Sequence, residues 1–146
     1  MIKVEKFRMD HLKRFDCSDM IGDLDITMMG NMKDSSVDSV ALVNEDGDTV
    51  CLAGVSHKRI GVGEVWVIRS ELINNYKFEF FKTIRGLIDF LHTVMGLHRI
   101  ELAILCTWKG GDKWAQAIGF EYESIAKAYD FRFNDHAIYT KIKRGE

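Results

Sequence analysis

The stretch from Glu64 to Phe120 constrains this chain more than any other. Glu64-Val65-Trp66-Val67-Ile68-Arg69 reads as a strand, entered through a turn at Gly61-Val62-Gly63. Beyond it, Phe80, Phe81, Ile84, Leu87, Ile88, Leu91, Val94 and Met95 fall in the i, i+3, i+4, i+7 rhythm of a helix with one buried face. Gly96 is its natural C-cap. Gly86 inside it costs about 1 kcal/mol relative to Ala, which predicts close packing at that position. His98 to Leu105 is a second strand, and its near-continuous apolar end predicts a central place covered on both faces. A short helix over Asp112 to Ile118 then stops at Gly119-Phe120. Strand, long helix, strand, short helix is the frame into which the rest must fit.

On the N-terminal side, Ile2 to Phe7 alternates apolar and polar residues, as a short half-buried strand does. Asp10 is placed to N-cap a helix beginning at His11-Leu12, with Phe15 on the same face. Asp16 to Asp38 mixes acidic residues with Met, Ile and Leu, and reads as a helix between irregular loops. Val40 to Val43 and Thr49 to Ala53 flank Asn44-Glu45-Asp46-Gly47-Asp48. An Asp-Gly pair between two apolar runs predicts a hairpin. On the C-terminal side, Tyr122 to Arg132 and His136 to Ile142 read as two closing strands joined by a turn at Asn134-Asp135. The Gly61-Val62-Gly63 spacing precedes a strand and not a helix, so it is read as a turn and not a phosphate loop.

Composition limits the function classes. The 146 residues fit a single domain over 1–146. A net charge of −2 supplies no electrostatic footprint for nucleic acid. No apolar run is long enough to span a bilayer and Met1 to Asp10 lacks a signal-peptide core, which predicts a cytoplasmic protein without a membrane partner. Cys17, Cys51 and Cys106 show no CxxC spacing and are expected as buried or half-buried free thiols. The five histidines are scattered, so no metal site is expected.

The most specific local pattern is Gly96-Leu97-His98-Arg99-Ile100-Glu101-Leu102 followed by Trp114 to Phe120. It resembles the "G-x-x-R-I-x-L" strand and "x-G-F" helix end of the GCN5-related N-acetyltransferases, the GNAT superfamily, and the element order resembles theirs along nearly the whole chain. The resemblance implies an α+β (α/β/α) fold: a mixed, mostly antiparallel sheet of six to seven strands flanked by helices. It implies acetyl-CoA as co-substrate, its pantetheine arm lying between two parallel strands that splay apart. Its pyrophosphate would rest at the start of the long helix, where free amides and the helix dipole favour an anion.

Site residues follow from the same resemblance. Backbone groups of Val67, Ile68 and Arg69 would hydrogen-bond the pantetheine and polarise the acetyl carbonyl. Asn75, Tyr76, Lys77, Phe78 and Lys82 would hold the pyrophosphate, and Trp108 would stand where the family commonly carries Asn. The family's glycine-rich turn is absent: Glu79 and Phe81 occupy its glycine positions. Glu79 would bring negative charge there, offset by Lys77 and Lys82, and Asn74 or Asn75 would cap the helix or take the φ > 0 conformation that glycine normally takes. The family's leaving-group Tyr is replaced by Ala115. Glu64 and Glu71 are the expected bases that take a proton from an amine. The acceptor, a small-molecule or peptide amine, would enter between Asp16–Asp25 and the Phe131–Asp135 turn.

The alternative is a GNAT-like protein that has lost the chemistry and works as a binding or virion-assembly module. Val65-Trp66-Val67, the glycine-free helix start and Ile118-Gly119 resemble divergent GNAT-like proteins of short-tailed bacteriophages, which would place the chain in host cytoplasm. A protein partner or a homodimer would fit that reading.

Overall fold

The computed structural model describes residues 1–13, 15 and 37–144. Seven strands are hydrogen-bonded into one sheet: β1 (Lys3–Lys6), β2 (Val37–Val43), β3 (Thr49–Arg59), β4 (Val62–Arg69), β5 (Arg99–Leu105), β6 (Glu121–Ala126) and β7 (His136–Ile142). Their order is β1-β2-β3-β4-β5-β7-β6. The β1–β2, β2–β3, β5–β7 and β6–β7 pairs are antiparallel, and β4–β5 is parallel. Two helices, α1 (Lys77–Thr93) and α2 (Gly111–Ala117), flank β5 in sequence. The expected mixed, mostly antiparallel sheet with helices is therefore present. Apart from Val37 and Asp38, which belong to β2, the segment read as Asp16 to Asp38 lies outside the described residues.

The chain divides into two compact units, Met1–Ser56 with Trp66–Lys82, and His57–Val65 with Thr83–Glu146. In the first, Ala41, Val43, Leu52 and Ile68 form a buried cluster, against which Phe7, Leu12, Phe15 and Trp66 pack. The hairpin between β2 and β3 closes as its Asp-Gly pair predicts. Asn44 Oδ1 accepts the Asp46 and Asp48 amides at 3.0 and 2.9 Å, and Gly47 adopts φ +83°. Downstream of β1 the expected helix is a single 3₁₀ turn, Met9–Leu12, capped by Arg8 and not by Asp10. The imidazole of His11 accounts for the shift: its Nδ1 accepts the Arg8 amide at 2.9 Å, fixing the turn two residues early.

In the second unit β5 alternates half-buried and buried residues, with Ile100, Leu102 and Ile104 inward. Its two faces are thus unequal, against the expectation of double coverage, because Arg99 and Glu101 need solvent or partners. The line Phe80, Ile84, Ile88 and His92, spaced by four, is the buried stripe of α1, whose residues up to Lys82 belong to the first unit. Val94 and Met95 fall beyond its end and are exposed, and Gly96 turns the chain at φ +71°. Gly86 is exposed, and a methyl group there would meet no other atom within 4 Å, so close packing does not explain it. The strand read as Tyr122 to Arg132 ends at Ala126. Asp130 halts it by accepting the Arg132 and Asn134 amides, each at 2.9 Å, which folds the following residues into a loop.

Candidate active site

Glu64 lies on β4 directly opposite Glu101 of β5 in the parallel ladder. Two carboxylates on neighbouring strands repel one another unless cations stand between them. Lys58, near the end of β3, supplies one: its Nζ is 2.9 Å from Glu101 Oε1 and 3.9 Å from Glu64 Oε2. Arg99 supplies the second, with Nε 2.7 Å from Glu101 Oε2 and the far side of its guanidinium forked onto Glu123 of β6 at 2.6 and 3.2 Å. Burial pushes the Glu101 carboxyl up, but Arg99 and Lys58 outweigh it and hold the group below the usual carboxylate range. Glu123 and Glu101 raise Arg99 in return.

With Lys58 closer to Glu101, Glu64 draws its nearest hydrogen bond from elsewhere. The phenol of Tyr129, in the loop between β6 and β7, donates to Glu64 Oε1. Burial and then this bond push the Tyr129 phenol well above its ordinary range. The Tyr129 ring leans on His136, and His136 Nε2 is 3.0 Å from Asp130 Oδ2. All these residues belong to the second unit. The Glu64 side chain is 24% exposed, open enough for a ligand to reach.

The other expected residues occupy definite places. Ile68 is fully buried in the first unit's core cluster. Val67 and Arg69 flank it as half-buried residues at the end of β4. Glu71 is exposed in the 3₁₀ turn Glu71–Asn75, in the other unit from Glu64. Asn74 and Asn75 also lie in that turn, and neither has positive φ. Neither therefore takes the φ > 0 conformation expected of one of them. Helical bonding in α1 begins with the Phe80 amide on Tyr76 O, so the amides of Lys77, Phe78 and Glu79 have no acceptor within the helix. Lys77, Phe78 and Lys82 are exposed, and the Tyr76 hydroxyl reaches Glu45 Oε1 at 3.4 Å. Glu79 remains in the first turn of α1, where its Oε2 accepts the Ile2 amide at 2.7 Å.

Trp108 is half-buried after β5 and packs on Trp114, ring centroids 5.7 Å apart. Ala115 is fully buried in α2 and Cys106 is exposed. At the start of α2, Tyr139 of β7 donates to Asp112 Oδ1 at 2.6 Å, and burial with this bond pushes its phenol up to about 12. Of the acceptor entrance, Asp16–Asp25 lies outside the described residues, while Phe131 and Phe133 are strongly exposed. An open depression of about 410 Å³ lined by Gln116, Gly119, Phe120, Glu121 and Tyr122 contains none of the expected residues. Among the described residues no three His, Cys, Asp or Glu side chains converge as metal ligands, and no helix is long and apolar enough to cross a membrane.

Sequence reasoning missed Lys58, Glu101 and Tyr129 as neighbours of Glu64, and Glu123 as the partner of Arg99. Arg99-x-Glu101 on one strand face was a visible signal. The Glu64–Glu101 register and the reach of Tyr129 were not.

No protein-family model and no curated protein sequence matches the chain. Solved structures do. Ribosomal-protein-S5-alanine acetyltransferase from Vibrio fischeri is similar at 21% identity and TM-score 0.64, over 80% of this chain and 67% of that one. A chimera of spermidine N-acetyltransferase SpeG from Vibrio cholerae and hSSAT is similar at 12% identity and TM-score 0.74, over 96% of both chains. A point mutant of the Vibrio cholerae SpeG enzyme is similar at 13% identity and TM-score 0.72, over 97% of this chain and 93% of that one. The chain has the GNAT acetyltransferase fold.

Proposed function

We propose that this chain is an acetyl-CoA-dependent N-acetyltransferase that acylates an amine by direct attack, with Glu64 as the base. One observation carries the reading. Glu64 is a half-exposed strand carboxylate, and its cationic neighbour Lys58 stands 3.9 Å from it but 2.9 Å from Glu101, so no close ion pair covers the carboxylate an amine would meet. The acetyltransferase fold of the structures it is similar to supports the assignment.

The parallel ladder between β4 and β5 covers Val62–Val65 against Arg99–Leu102, while β4 runs on to Arg69. A pantetheine arm would use the backbone groups of Val67, Ile68 and Arg69 at the end of β4. The amides of Lys77 to Glu79 and the ammonium groups of Lys77 and Lys82 suit a pyrophosphate. With the Glu79 carboxylate held by the Ile2 amide, its charge is less of an obstacle there. Acetyl-CoA supplies an acyl thioester as electrophile. Glu64 takes one proton from the acceptor ammonium, directly or through water, so that the neutral amine attacks. With Ala115 at the family's Tyr position, solvent protonates the departing thiolate.

A second reading rests on a different observation, the 3₁₀ turn and glycine-free entry to α1. In it the fold has given up the chemistry and serves as a binding or virion-assembly module of the bacteriophage type. Calorimetric titration with acetyl-CoA, followed by a thiol-release assay over an amine panel, separates the two. Micromolar binding with Glu64-dependent thiol release is the expected result. No binding at millimolar acetyl-CoA would refute the enzyme and favour the module.

A further inference from the structure

We propose that Tyr129 is a positioning residue for Glu64: its phenol holds one carboxylate oxygen so that the other is presented in a fixed direction. The proposal rests on the reading of Glu64 as the base. A carboxylate on a half-exposed strand face has several open rotamers. The groups that face it are Lys58 from β3, Glu101 from β5 and Tyr129 from the β6–β7 loop. Lys58 Nζ stands at 3.9 Å from Glu64 and is bonded to Glu101, while Glu101 repels. That leaves the phenol as the donor that sets where the carboxylate points.

The loop is built to aim that phenol. Asp130 gathers the Arg132 and Asn134 amides, the Asn134 side-chain amide at 3.1 Å and the His136 ring at 3.0 Å. Ala128 and Phe133 both sit at positive φ, +49° and +64°, an uncommon conformation for residues other than glycine. Asp135 Oδ1 accepts the Ala128 amide at 2.9 Å, pinning one of them. His136, fixed by Asp130, backs the Tyr129 ring at 5.1 Å between centroids. Because its ionisation is pushed up by burial and by Glu64, the phenol remains a donor across the range in which amines lose their protons.

Two readouts test this on the full chain. The first, ultraviolet titration of the phenols without ligand, identifies the Tyr129 transition as the one lost in Tyr129→Phe. In Glu64→Gln that transition should move to lower pH, since the ionised partner is gone. The second is turnover with the best amine acceptor. Tyr129→Phe should lower kcat roughly ten- to a hundredfold, the value of one hydrogen bond to a charged group, with acetyl-CoA affinity unchanged. In the Glu64→Gln background the same substitution should cost nothing further. An unmoved phenol in Glu64→Gln, or an equal loss in both backgrounds, would overturn the proposal. A moved phenol with no turnover in the parent would overturn the acyl-transfer reading alone, leaving the hold of Tyr129 on Glu64 standing. If Tyr129→Phe fails to fold, Glu64→Gln alone reads the pair: one phenol transition should lie at lower pH than in the parent, and an unchanged set of transitions would overturn the proposal.

Discussion

Gly54 lies in β3 where the indole of Trp66, from the strand that carries Glu64, passes over the backbone. An added Cβ would stand 2.3 Å from Trp66 Cζ2 and 2.8 Å from the Asp38 carbonyl oxygen. Gly54→Ala therefore forces the ring back by about 1 Å to recover an ordinary carbon–carbon separation. Trp66 packs against the cluster of Ala41, Val43, Leu52 and Ile68, and the second obstacle is backbone in the paired strand β2, so neither yields freely. Overpacking of this kind costs about 2–3 kcal/mol. The substitution also narrows the unfolded ensemble, returning about 0.4–1 kcal/mol. A net loss of about 1–2.6 kcal/mol remains, or a fall in Tm of roughly 2–10 °C for a chain of this length. Urea unfolding followed by tryptophan fluorescence measures it, with Trp66→Val and the double variant completing the cycle. The double variant should be more stable than the sum of the single losses allows, because the smaller side chain vacates the space. Stability of Gly54→Ala within about 0.5 kcal/mol of the parent would show that Trp66 does not lie over Gly54 and would refute the reasoning.

Lys77→Glu and Lys82→Glu should each weaken acetyl-CoA binding several-fold by calorimetry, and unchanged affinity in both would remove the pyrophosphate from the start of α1. Burial raises the Cys51 thiol far above its ordinary range against a smaller opposing effect of Arg69, whereas Cys106 is exposed. Alkylation at pH 8 with peptide mapping should therefore label Cys106 and spare Cys51 until the protein unfolds. The hydrogen bonds from His136, then from the loop amides, hold the Asp130 carboxyl well below the usual range. A carboxyl depressed on folding stabilises above its unfolded pKa, and the contribution disappears as pH falls towards the folded one. Asp130→Asn should thus be less stable than the parent at neutral pH, the difference shrinking below about pH 4. A difference independent of pH in denaturant titrations would contradict the Asp130–His136 arrangement.

Much of the frame was legible in the residues themselves. The period of Phe80, Ile84 and Ile88 located α1, Asn44 to Asp48 located the hairpin, and Gly96 and Gly119 marked where helices stop. These signals are local: they depend on a residue and its neighbours within about one turn. Asp10 is a better capping residue than Arg8 by type, yet the His11 ring satisfied the Arg8 amide and took the turn with it. The long run from Tyr122 looked like strand as far as Arg132, but the fan of amides on Asp130 outbids continued pairing. Gly86 carries the helix penalty with no packing to explain it.

By itself, then, the sequence determined the order of strands and helices, the apolar stripe of α1, the identity of Glu64 as a strand carboxylate and the lack of glycine ahead of Lys77. Tertiary structure alone decided what surrounds that carboxylate. Lys58, Glu101 and Tyr129 come from β3, β5 and a loop, up to 65 residues from Glu64 along the chain, and Arg99 and Glu123 reach it only through Glu101. Strand register brings Glu101 opposite it, and a loop shaped by Asp130 delivers Tyr129. Charge pairing and hydrogen bonding act over a few ångströms in space, and sequence spacing has no measure of that distance until the sheet has formed.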